Sequence, residues 1–182
     1  MADDEQVMAQ VRDGRVEMLA ILFERHHVRL FNFFLRLTAE RSASEDLVQD
    51  VFLRILKYRQ SYRGDSKFTT WMYQIGRNAH IDHLRARRPE LPIDEVWEQE
   101  PSPQPLPPQK AESEQEADLL ARAMERLPLR KREVLLLARF QDLKYQEIAA
   151  LLACSVESVK VQVHRSLKDL RRHYLELQGG TR

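Results

Sequence analysis

Apolar side chains recur along this chain at the three- and four-residue spacing that is typical of amphipathic helices. In the first half, three stretches carry the pattern, and each is longer than a strand: residues 16–37, 42–59 and 68–88. The chain has only five glycines and few alternations of apolar and polar residues, which argues against a sheet. The pattern therefore predicts helices whose apolar positions face a common core.

Local signals mark where these helices begin and end. Ser42 precedes Glu45 by three residues, the spacing of a capping box, and predicts the start of the second helix. The sequence RGDSKF, at 63–68, is a loop signal, and Pro89 stops the third helix. Trp71 lies on the apolar side of the third helix and is expected to face the core.

The second half repeats the helical pattern in shorter pieces. Residues 117–127 form one amphipathic stretch, and Pro128 stands where it can begin a helix that continues to Phe140. Residues 145–153 form a third stretch. The last helix carries an apolar stripe at helical spacing: Val156, Val159, Val163, Leu167, Leu170 and Tyr174.

The two helical halves are separated by a segment of different composition. Seven of the eight prolines lie between Pro89 and Pro108, and the stretch that follows is rich in Glu and Gln. Such a segment cannot bury enough apolar surface to fold by itself. The sequence therefore predicts an all-α fold of two small domains, at 1–90 and 117–182, joined by a Pro-rich acidic linker at 91–116.

The net charge of +1 conceals blocks of opposite sign. Residues 53–88 hold nine basic and two acidic side chains, residues 89–118 hold one and nine, and residues 122–172 hold twelve and six. Basic blocks within helices are typical of nucleic-acid binding, although a solvated basic surface has the same composition. The acidic block either aids solubility or mimics nucleic acid and shields the basic domains.

Other features restrict the class of protein. No run approaches the roughly 20 apolar residues of a membrane span, and the acidic N-terminus lacks the apolar core of a signal peptide. A single cysteine, Cys154, excludes an internal disulfide and a Cys-based zinc site, and it fits either packing within a turn or a redox switch. We therefore expect a cytoplasmic protein with no membrane span of its own and no cofactor.

The last helix combines its apolar stripe with a cationic side. The other faces carry Lys160, Val161, His164, Arg165 and Lys168. A helix that is anchored on one side and basic on another fits the major groove of DNA. The preceding helix with small Ala149, and the turn at Ala153, complete the spacing of a helix-turn-helix, although glycine is the usual residue at such a turn. The alternative is an ordinary helical hairpin with a solvated basic face.

Two stretches of the chain carry a family resemblance. LPLRKREVLLLARFQDLKYQEIAALLACSVESVKVQVHRSLKDLRR resembles the fourth conserved region of bacterial sigma factors, and DLVQDVFLRILKYRQSYRGDSKFTTWMYQIGRNAHIDHLRARR resembles their second region. Their order, and the short linker in place of a third domain, resemble the extracytoplasmic-function (ECF) subfamily of the sigma-70 family. The resemblance implies a transcription initiation factor, not an enzyme. Such a factor binds bacterial core RNA polymerase, directs it to promoter DNA at −10 and −35 elements, and is regulated by an anti-sigma factor.

The resemblance also assigns roles to individual residues through their match to the family's motifs. The clamp helices of the largest catalytic subunit of the polymerase would contact Asp46, Gln49, Asp50, Leu53 and Arg54. Single-stranded −10 DNA would contact Tyr62, Arg63, Ser66, Arg77, Asn78, His80, His83, Arg85 and Arg88. The −35 duplex would contact Lys160, Val161, His164, Arg165 and Lys168.

The residue types agree with these roles. Unstacked bases bind to aromatic or guanidinium surfaces and to amide or hydroxyl donors along a cationic track. Tyr62, Arg63 and Asn78 offer such groups, and Trp71 is either a further stacking surface or part of the core.

Two assignments stay open on the sequence. Many members of the family have Ser-Arg where this chain has Val161 and Gln162, which leaves the preferred −35 sequence undetermined, and Val161 could contact a thymine methyl group. Asp46 and Asp50 could complement the dipole at the start of their helix as well as contact a partner.

Two other classes of protein fit parts of the sequence. The sequence HIDH places His80 and His83 on one helix face, as in a metal-dependent enzyme, but no distant third ligand stands out. An autonomous dimeric repressor would use the helix-turn-helix and leave the motif at 44–88 unexplained. Binding of duplex DNA without polymerase separates these classes, because a repressor binds tightly and a sigma factor of this kind weakly.

Overall fold

The structure is a computed structural model of the 182-residue chain, and it describes residues 2–90, 92, 95, 112–141 and 143–179. The chain divides into two compact units, one comprising Met1–Leu35 and Glu40–Pro89 and the other comprising Arg36–Ala39 and Glu90–Arg182. All regular secondary structure in the described residues is helical, so the all-α prediction is confirmed. Most of the predicted linker lies outside the described residues.

Four α-helices build the first unit: α1 (Asp4–Arg12), α2 (Leu19–Thr38), α3 (Arg41–Tyr58) and α4 (Phe68–Arg87). The last residues of α2, from Arg36 onward, are assigned to the second unit. Short 3₁₀ turns precede α2 and follow α3, at Val16–Met18 and Arg59–Ser61. Each helix contributes fully buried side chains to one core, among them Met8, Leu30, Phe34, Ile55 and Met72. The apolar stripes read from the sequence are therefore the buried faces.

Gly76 permits a close approach of α4 to α2 and α3. A Cβ at this position would lie 3.2 Å from Cζ of Phe34 and 3.6 Å from Cγ2 of Val51. Because α4 packs so tightly on this side, its opposite side is held in a fixed orientation toward solvent.

The apolar pattern did not predict helix α1. Asp3 caps α1, since its carboxylate accepts a hydrogen bond of 2.7 Å from the amide of Gln6, and the Gln6 side chain accepts from the Asp3 amide in return. The helix buries Val7, Met8 and Val11. Three apolar residues in a nine-residue polar stretch are too few for their spacing to predict a helix.

The predicted capping box at Ser42 is wrong. α3 begins one residue earlier, at Arg41, and its N-cap residue is Glu40, whose side chain makes no capping hydrogen bond. Ser42 is exposed, and the carboxylate of Glu45 pairs with Arg41 at 3.0 Å. An i,i+4 ion pair on the helix surface has taken the place of the expected cap.

The second unit contains α5 (Glu112–Glu125), α6 (Leu129–Phe140), α7 (Tyr145–Leu152) and α8 (Val156–Gly179). Pro128 is the N-cap residue of α6, next to its predicted place inside the helix. The core is made by fully buried side chains from each helix or its end, including Ala123, Leu136, Ile148 and Val159. None of the helices in the described part of the chain combines the length and apolar character needed to cross a membrane.

A buried guanidinium fixes the junction between α5 and α6. Arg132 is 0% exposed, and it donates from Nε to the carbonyl of Met124 at 3.0 Å and from Nη2 to those of Glu125 at 2.5 Å and Leu127 at 3.1 Å. Burial lowers the pKa of Arg132 to about 10, which still leaves the group charged at neutral pH. Its charge lies at the negative end of α5, where the last carbonyls of a helix need donors.

Candidate nucleic-acid interface

The basic residues predicted to enter a DNA groove lie together on one side of α8. Lys160, Val161, His164, Arg165 and Lys168 are all exposed. Helical geometry places these five within about 140° of one another around the axis. The opposite side of α8 is buried through Val159, Val163 and Ser166. The helix therefore presents a cationic face while its other face anchors it to the unit.

Val161 is the apolar member of this exposed face. Its side chain is 48% exposed, between cationic neighbours. A half-exposed apolar side chain on a basic helix is suited to contact with the methyl group that thymine displays in the major groove.

The turn between α7 and α8 has the conformation that the sequence predicts. Ala153 adopts the left-handed region, with φ 52° and ψ 46°, and the amide of Cys154 donates to the carbonyl of Ala149 at 3.0 Å. Ala149 is buried at the contact, as a small residue there requires. Ser155 then begins α8, because its hydroxyl accepts from the amide of Ser158 at 3.1 Å.

An ion pair holds the second half of α8 against α6. Nζ of Lys131 lies 2.6 Å from Oδ2 of Asp169, and Arg172 lies 3.4 Å from the other oxygen. The hydrogen bond from Lys131 lowers the pKa of Asp169, against a smaller opposing effect of burial. This contact helps to fix the direction in which the cationic face points.

A second exposed basic surface follows α4 in the first unit. Asn78, Arg85 and Arg88 are exposed and Arg77 is half-buried. Helical spacing places Arg77, Asn78 and Arg85 on one side of α4, and Arg88 is the C-cap residue that follows the helix. Arg63 and Ser66 are exposed in the loop that precedes the helix. Six of the nine residues predicted for −10 DNA therefore lie in the loop, on one face of α4 or at its C-terminal end.

The structure places the other three −10 candidates away from that surface. Tyr62 is 2% exposed, because its ring packs against Trp71 at 5.2 Å and its hydroxyl donates to the carbonyl of Ser66 at 3.2 Å. His80 is 1% exposed. His83 is half-buried and lies four residues after buried Ala79, on the core side of α4. Burial of Tyr62 and His80 contradicts the prediction that these two side chains touch DNA directly. The role of half-buried His83 stays a prediction.

Two related interpretations are resolved by the same packing. Trp71 is half-buried and lies 6.5 Å from Phe68, so it belongs to the aromatic cluster at the start of α4 rather than standing out as a platform. His80 and His83 form no site with further ligands, since the described residues contain no group of three or more metal-ligating side chains.

The outward face of α3 carries the residues predicted to bind polymerase. Asp46, Gln49 and Leu53 are exposed, and the apolar side chain of Leu53 is 65% exposed. Asp50 and Arg54 are half-buried and paired, with Nε of Arg54 3.0 Å from both carboxylate oxygens. The first turn of α3 has no acidic residue, so Asp46 and Asp50 lie too far along the helix for its dipole to explain them.

Sequence reasoning missed the contribution of α1 to the loop before α4. Oε1 of Glu5 accepts a hydrogen bond of 2.9 Å from the amide of Phe68, and Gln60 donates to the carbonyl of Arg12 at 2.7 Å. The available signal was the pair Asp3 and Gln6, which has capping-box spacing before an apolar pair.

Comparison with known proteins identifies two family regions in the chain. Residues 22–90 match the Sigma-70 region 2 family, and residues 117–170 match the Sigma-70, region 4 family. The ECF RNA polymerase sigma factor RpoE of Cereibacter sphaeroides is 30% identical over 169 residues, which cover 92% of this chain and 92% of that protein. The RNA polymerase sigma factor CarQ of Myxococcus xanthus is 29% identical over 171 residues, which cover 94% of this chain and 97% of CarQ.

Solved structures share the fold. CnrH, in complex with the cytosolic domain of CnrY, gives a TM-score of 0.68 at 24% identity and covers 93% of this chain and 95% of its own. The sigma factor RpoE from Bartonella quintana, in complex with the anti-sigma factor NepR, gives 0.65 at 23% identity and covers 89% and 96%. The chain therefore belongs to the ECF subfamily of the sigma-70 family, and it is a transcription initiation factor that binds core RNA polymerase and directs it to promoters by recognising −10 and −35 elements.

Proposed function

We propose that the two halves of this sigma factor divide promoter recognition between them. The domain at 1–90 binds core polymerase and the −10 element, the domain at 117–182 binds the −35 element, and the segment at 91–116 links them. The observation that carries the proposal is that each unit has its own surface of predicted DNA contacts, α8 in one unit and α4 with its preceding loop in the other. Each surface is backed by an apolar core that fixes it.

The face of α8 reads the −35 duplex in the major groove. Arg165 and Lys160 supply donors suited to the O6 and N7 acceptors of guanine, and Val161 supplies an apolar contact for thymine. His164 and Lys168 extend the cationic face along the groove and add phosphate contacts. The five residues lie on one exposed side of the helix, as insertion into a groove requires.

The surface of α4 and its loop holds the −10 element as a single strand. Arg77 and Arg85 on one side of the helix, with Arg88 at its C-terminal end, form a cationic track. Asn78 adds an amide that bonds to base edges. Arg63 and Ser66 extend this surface into the loop. Tyr62 supports the loop from within, through its hydroxyl contact to Ser66.

The exposed face of α3 binds the polymerase through Asp46, Gln49, Asp50, Leu53 and Arg54. Leu53 is exposed among these polar side chains, and an apolar centre with a polar rim is the usual arrangement of a protein interface. Asp50 and Arg54 neutralise each other at its edge. Such a face suits a partner helix that carries both apolar and charged side chains.

The proposal extends to regulation and location. RpoE from Bartonella quintana was solved with an anti-sigma factor, and this chain shares its fold, so we assign an anti-sigma partner to this protein as well. Because its partners are core polymerase and promoter DNA, the protein acts in the cytoplasm and performs no catalysis of its own. The product of a gene adjacent to that for this chain should bind it and block its transcription. A neighbouring product with no affinity would count against this extension.

Transcription in vitro tests the proposal as a whole. Core RNA polymerase is combined with the full chain on a promoter library randomised at both elements, and transcripts are sequenced against a reaction without the chain. We expect enrichment of one pair of elements at a fixed spacing. Binding of duplex DNA without polymerase is measured in parallel, because tight sequence-specific binding with no transcription would support a repressor and contradict the proposal.

A further inference from the structure

Helix α1 is bonded to both ends of the loop that carries Arg63 and Ser66. At one end, the side chain of Gln60 donates to the carbonyl of Arg12 at 2.7 Å, with a longer contact of 3.5 Å from Arg12 to the carbonyl of Tyr62. At the other end, the carboxylate of Glu5 accepts from the amide of Phe68 at 2.9 Å. The exposed part of the loop is thus held between two attachments to one short helix.

The contact from Glu5 supplies what the start of α4 needs. The first amides of a helix have no partner within the helix, and they favour a nearby negative charge. The N-cap residue of α4 is Lys67, and a lysine side chain has only donors, so it cannot accept from these amides. The Glu5 carboxylate, which belongs to another helix, takes the capping role that the side chain of a Ser, Thr, Asp or Asn at the N-cap position usually has.

Glu5 is itself held in place. The neighbouring carboxylate of Asp4 accepts from Arg25 at 2.7 Å and is 2.6 Å from Nε2 of His26, which ties α1 to α2. Met8 and Val11 are fully buried on the inner side of α1. A nine-residue helix is marginal alone, and these contacts give it a fixed position from which Glu5 can act.

Between the two attachments, the loop closes on itself. Gly64 adopts a positive φ of 75° at the tip, and the hydroxyl of buried Tyr62 donates to the carbonyl of Ser66. The side chains of Arg63, Asp65 and Ser66 remain exposed. The position of these side chains relative to α4 therefore depends on the contacts at both ends of the loop, including the hydrogen bond from Phe68 to Glu5.

We propose that Glu5 is a positioning residue for −10 recognition. Its carboxylate caps α4 from α1, fixes the loop at 62–67 against the start of that helix, and so sets the geometry between Arg63 and Ser66 in the loop and Asn78 on the helix. It acts without touching DNA. The inference rests on the proposed assignment of this surface to the −10 element.

The test compares three variants of the full chain with core polymerase. Glu5→Ala removes the acceptor, Glu5→Gln keeps a carboxamide oxygen at the same reach but removes the charge, and Glu17→Ala removes an exposed acid of the same N-terminal segment that makes none of these contacts. Affinity for core polymerase, affinity for the selected promoter and thermal stability are measured for each variant. Discrimination among −10 and −35 variants of that promoter is measured as well, together with open-complex formation on duplex and pre-melted templates.

We expect Glu5→Ala to lower −10 discrimination by about fivefold, the usual scale of a lost helix cap, and to slow open-complex formation more on duplex than on pre-melted DNA. Core affinity and −35 preference should stay within about twofold, a change smaller than the loss of one surface contact. Glu5→Gln should keep most of the discrimination, because its oxygen still accepts from Phe68. Glu17→Ala should match the unmodified chain in every measurement.

Other results would overturn the inference. Tighter promoter binding with both Glu5 variants and unchanged discrimination would mean that Glu5 merely repels phosphates. Loss of core affinity in step with thermal stability, at constant discrimination, would mean a purely structural cap. Asn78→Ala is measured alongside: if it changes discrimination and Glu5→Ala does not, only this inference fails. If neither variant changes the discrimination, the assignment of this surface to the −10 element is wrong, and so is the inference that rests on it.

Discussion

The guanidinium of Arg54 joins α3 to α4, with Nη1 2.7 Å from Oδ2 of Asp82 and Nε 3.0 Å from both carboxylate oxygens of Asp50. Burial opposes the charge of Arg54, but the hydrogen bonds to Asp50 and Asp82 outweigh it and raise its pKa. One side chain therefore serves the proposed polymerase face and the helix of the proposed −10 surface. The charge that α3 offers a partner is that of the pair and not of Asp50 by itself.

Asp50→Arg should abolish binding to core polymerase. The substitution removes one partner of Arg54 and sets a second cation beside it, while Asp82 remains to pair with Arg54. The buried stripe of α3 is untouched, so helicity by circular dichroism should be unchanged. Affinity for core polymerase, measured by fluorescence titration, is expected to fall by at least about tenfold, the effect of reversing a charge at an interface.

Glu24→Arg is the matched control for this prediction. It makes the same change of charge at an exposed position of α2 and should leave core affinity unchanged. Core affinity retained by Asp50→Arg, or lost equally by both variants, would contradict the assignment of the polymerase face to α3.

Ala153→Gly should stabilise the protein. Ala153 is exposed and holds a left-handed φ of 52°, which disfavours a residue with a Cβ. Glycine removes that conformational cost, although it also increases the conformational entropy of the unfolded chain, which offsets part of the effect. The free energy of unfolding should therefore rise by about 0.5–1 kcal/mol. Urea unfolding followed by circular dichroism measures the change.

Ala150→Gly, in the helix that Ala153 caps, should change the stability in the opposite direction. Ala150 is exposed in the regular part of α7, where glycine should lower the free energy of unfolding by about 1 kcal/mol. Destabilisation by Ala153→Gly would show that the alanine methyl group stabilises the turn, and it would contradict a left-handed conformation at Ala153.

The contribution of Asp169 to stability should disappear in acid. The hydrogen bond from Lys131 lowers the pKa of Asp169 below its ordinary value of 3.8 in the folded state. Its contribution is therefore fully present above the pKa of the unfolded chain and is lost as pH falls through the folded-state pKa. Asp169→Asn should reduce the urea midpoint at pH 6, and the reduction should be smaller at pH 3, below the ordinary pKa of 3.8.

The partner variant Lys131→Met makes this test specific. In its background, Asp169→Asn should cost much less at pH 6, because the main hydrogen bond is already gone. An equal cost at both pH values, or in both backgrounds, would mean that the Asp169 side chain acts through packing rather than through its charge.

The sequence predicted most helices of the fold because their apolar stripes are long and regular. Helix α8 is an example, since the stripe through Val159 and Val163 is the buried side in the structure. It did not predict α1, whose stability comes from contacts with α2 and the loop, which lie far away in sequence. Contacts between residues far apart in sequence are not visible in the spacing of apolar residues along the chain.

The candidate surfaces were predictable only as far as helical register could be applied. The five residues of the α8 face share one side because their spacing is helical. Tyr62, His80 and His83 were assigned through their match to the family's motifs, and an aromatic or imidazole ring is as suited to a core as to a base. Only the packed structure shows which of the two environments each ring occupies, as the contact between Tyr62 and Trp71 illustrates.

Removal of Arg165 should alter the reading of the duplex element alone. Arg165 is exposed on the cationic face of α8, and a good base contact by arginine contributes about 1–3 kcal/mol of discrimination. Arg165→Ala should therefore relax preference at one or two −35 positions. A purely phosphate role would instead weaken binding evenly across sequences and reduce the salt slope by about one. Arg139→Ala, an exposed arginine on α6, is the matched control.

The most direct test of the division of labour measures transcription from −10 and −35 promoter variants with Arg165→Ala and Asn78→Ala, each at two salt concentrations. Our account predicts that Arg165→Ala changes only the −35 preference. Asn78→Ala should change only the −10 preference and slow open-complex formation on duplex more than on pre-melted DNA. A change of −10 preference by Arg165→Ala, or of −35 preference by Asn78→Ala, would contradict it.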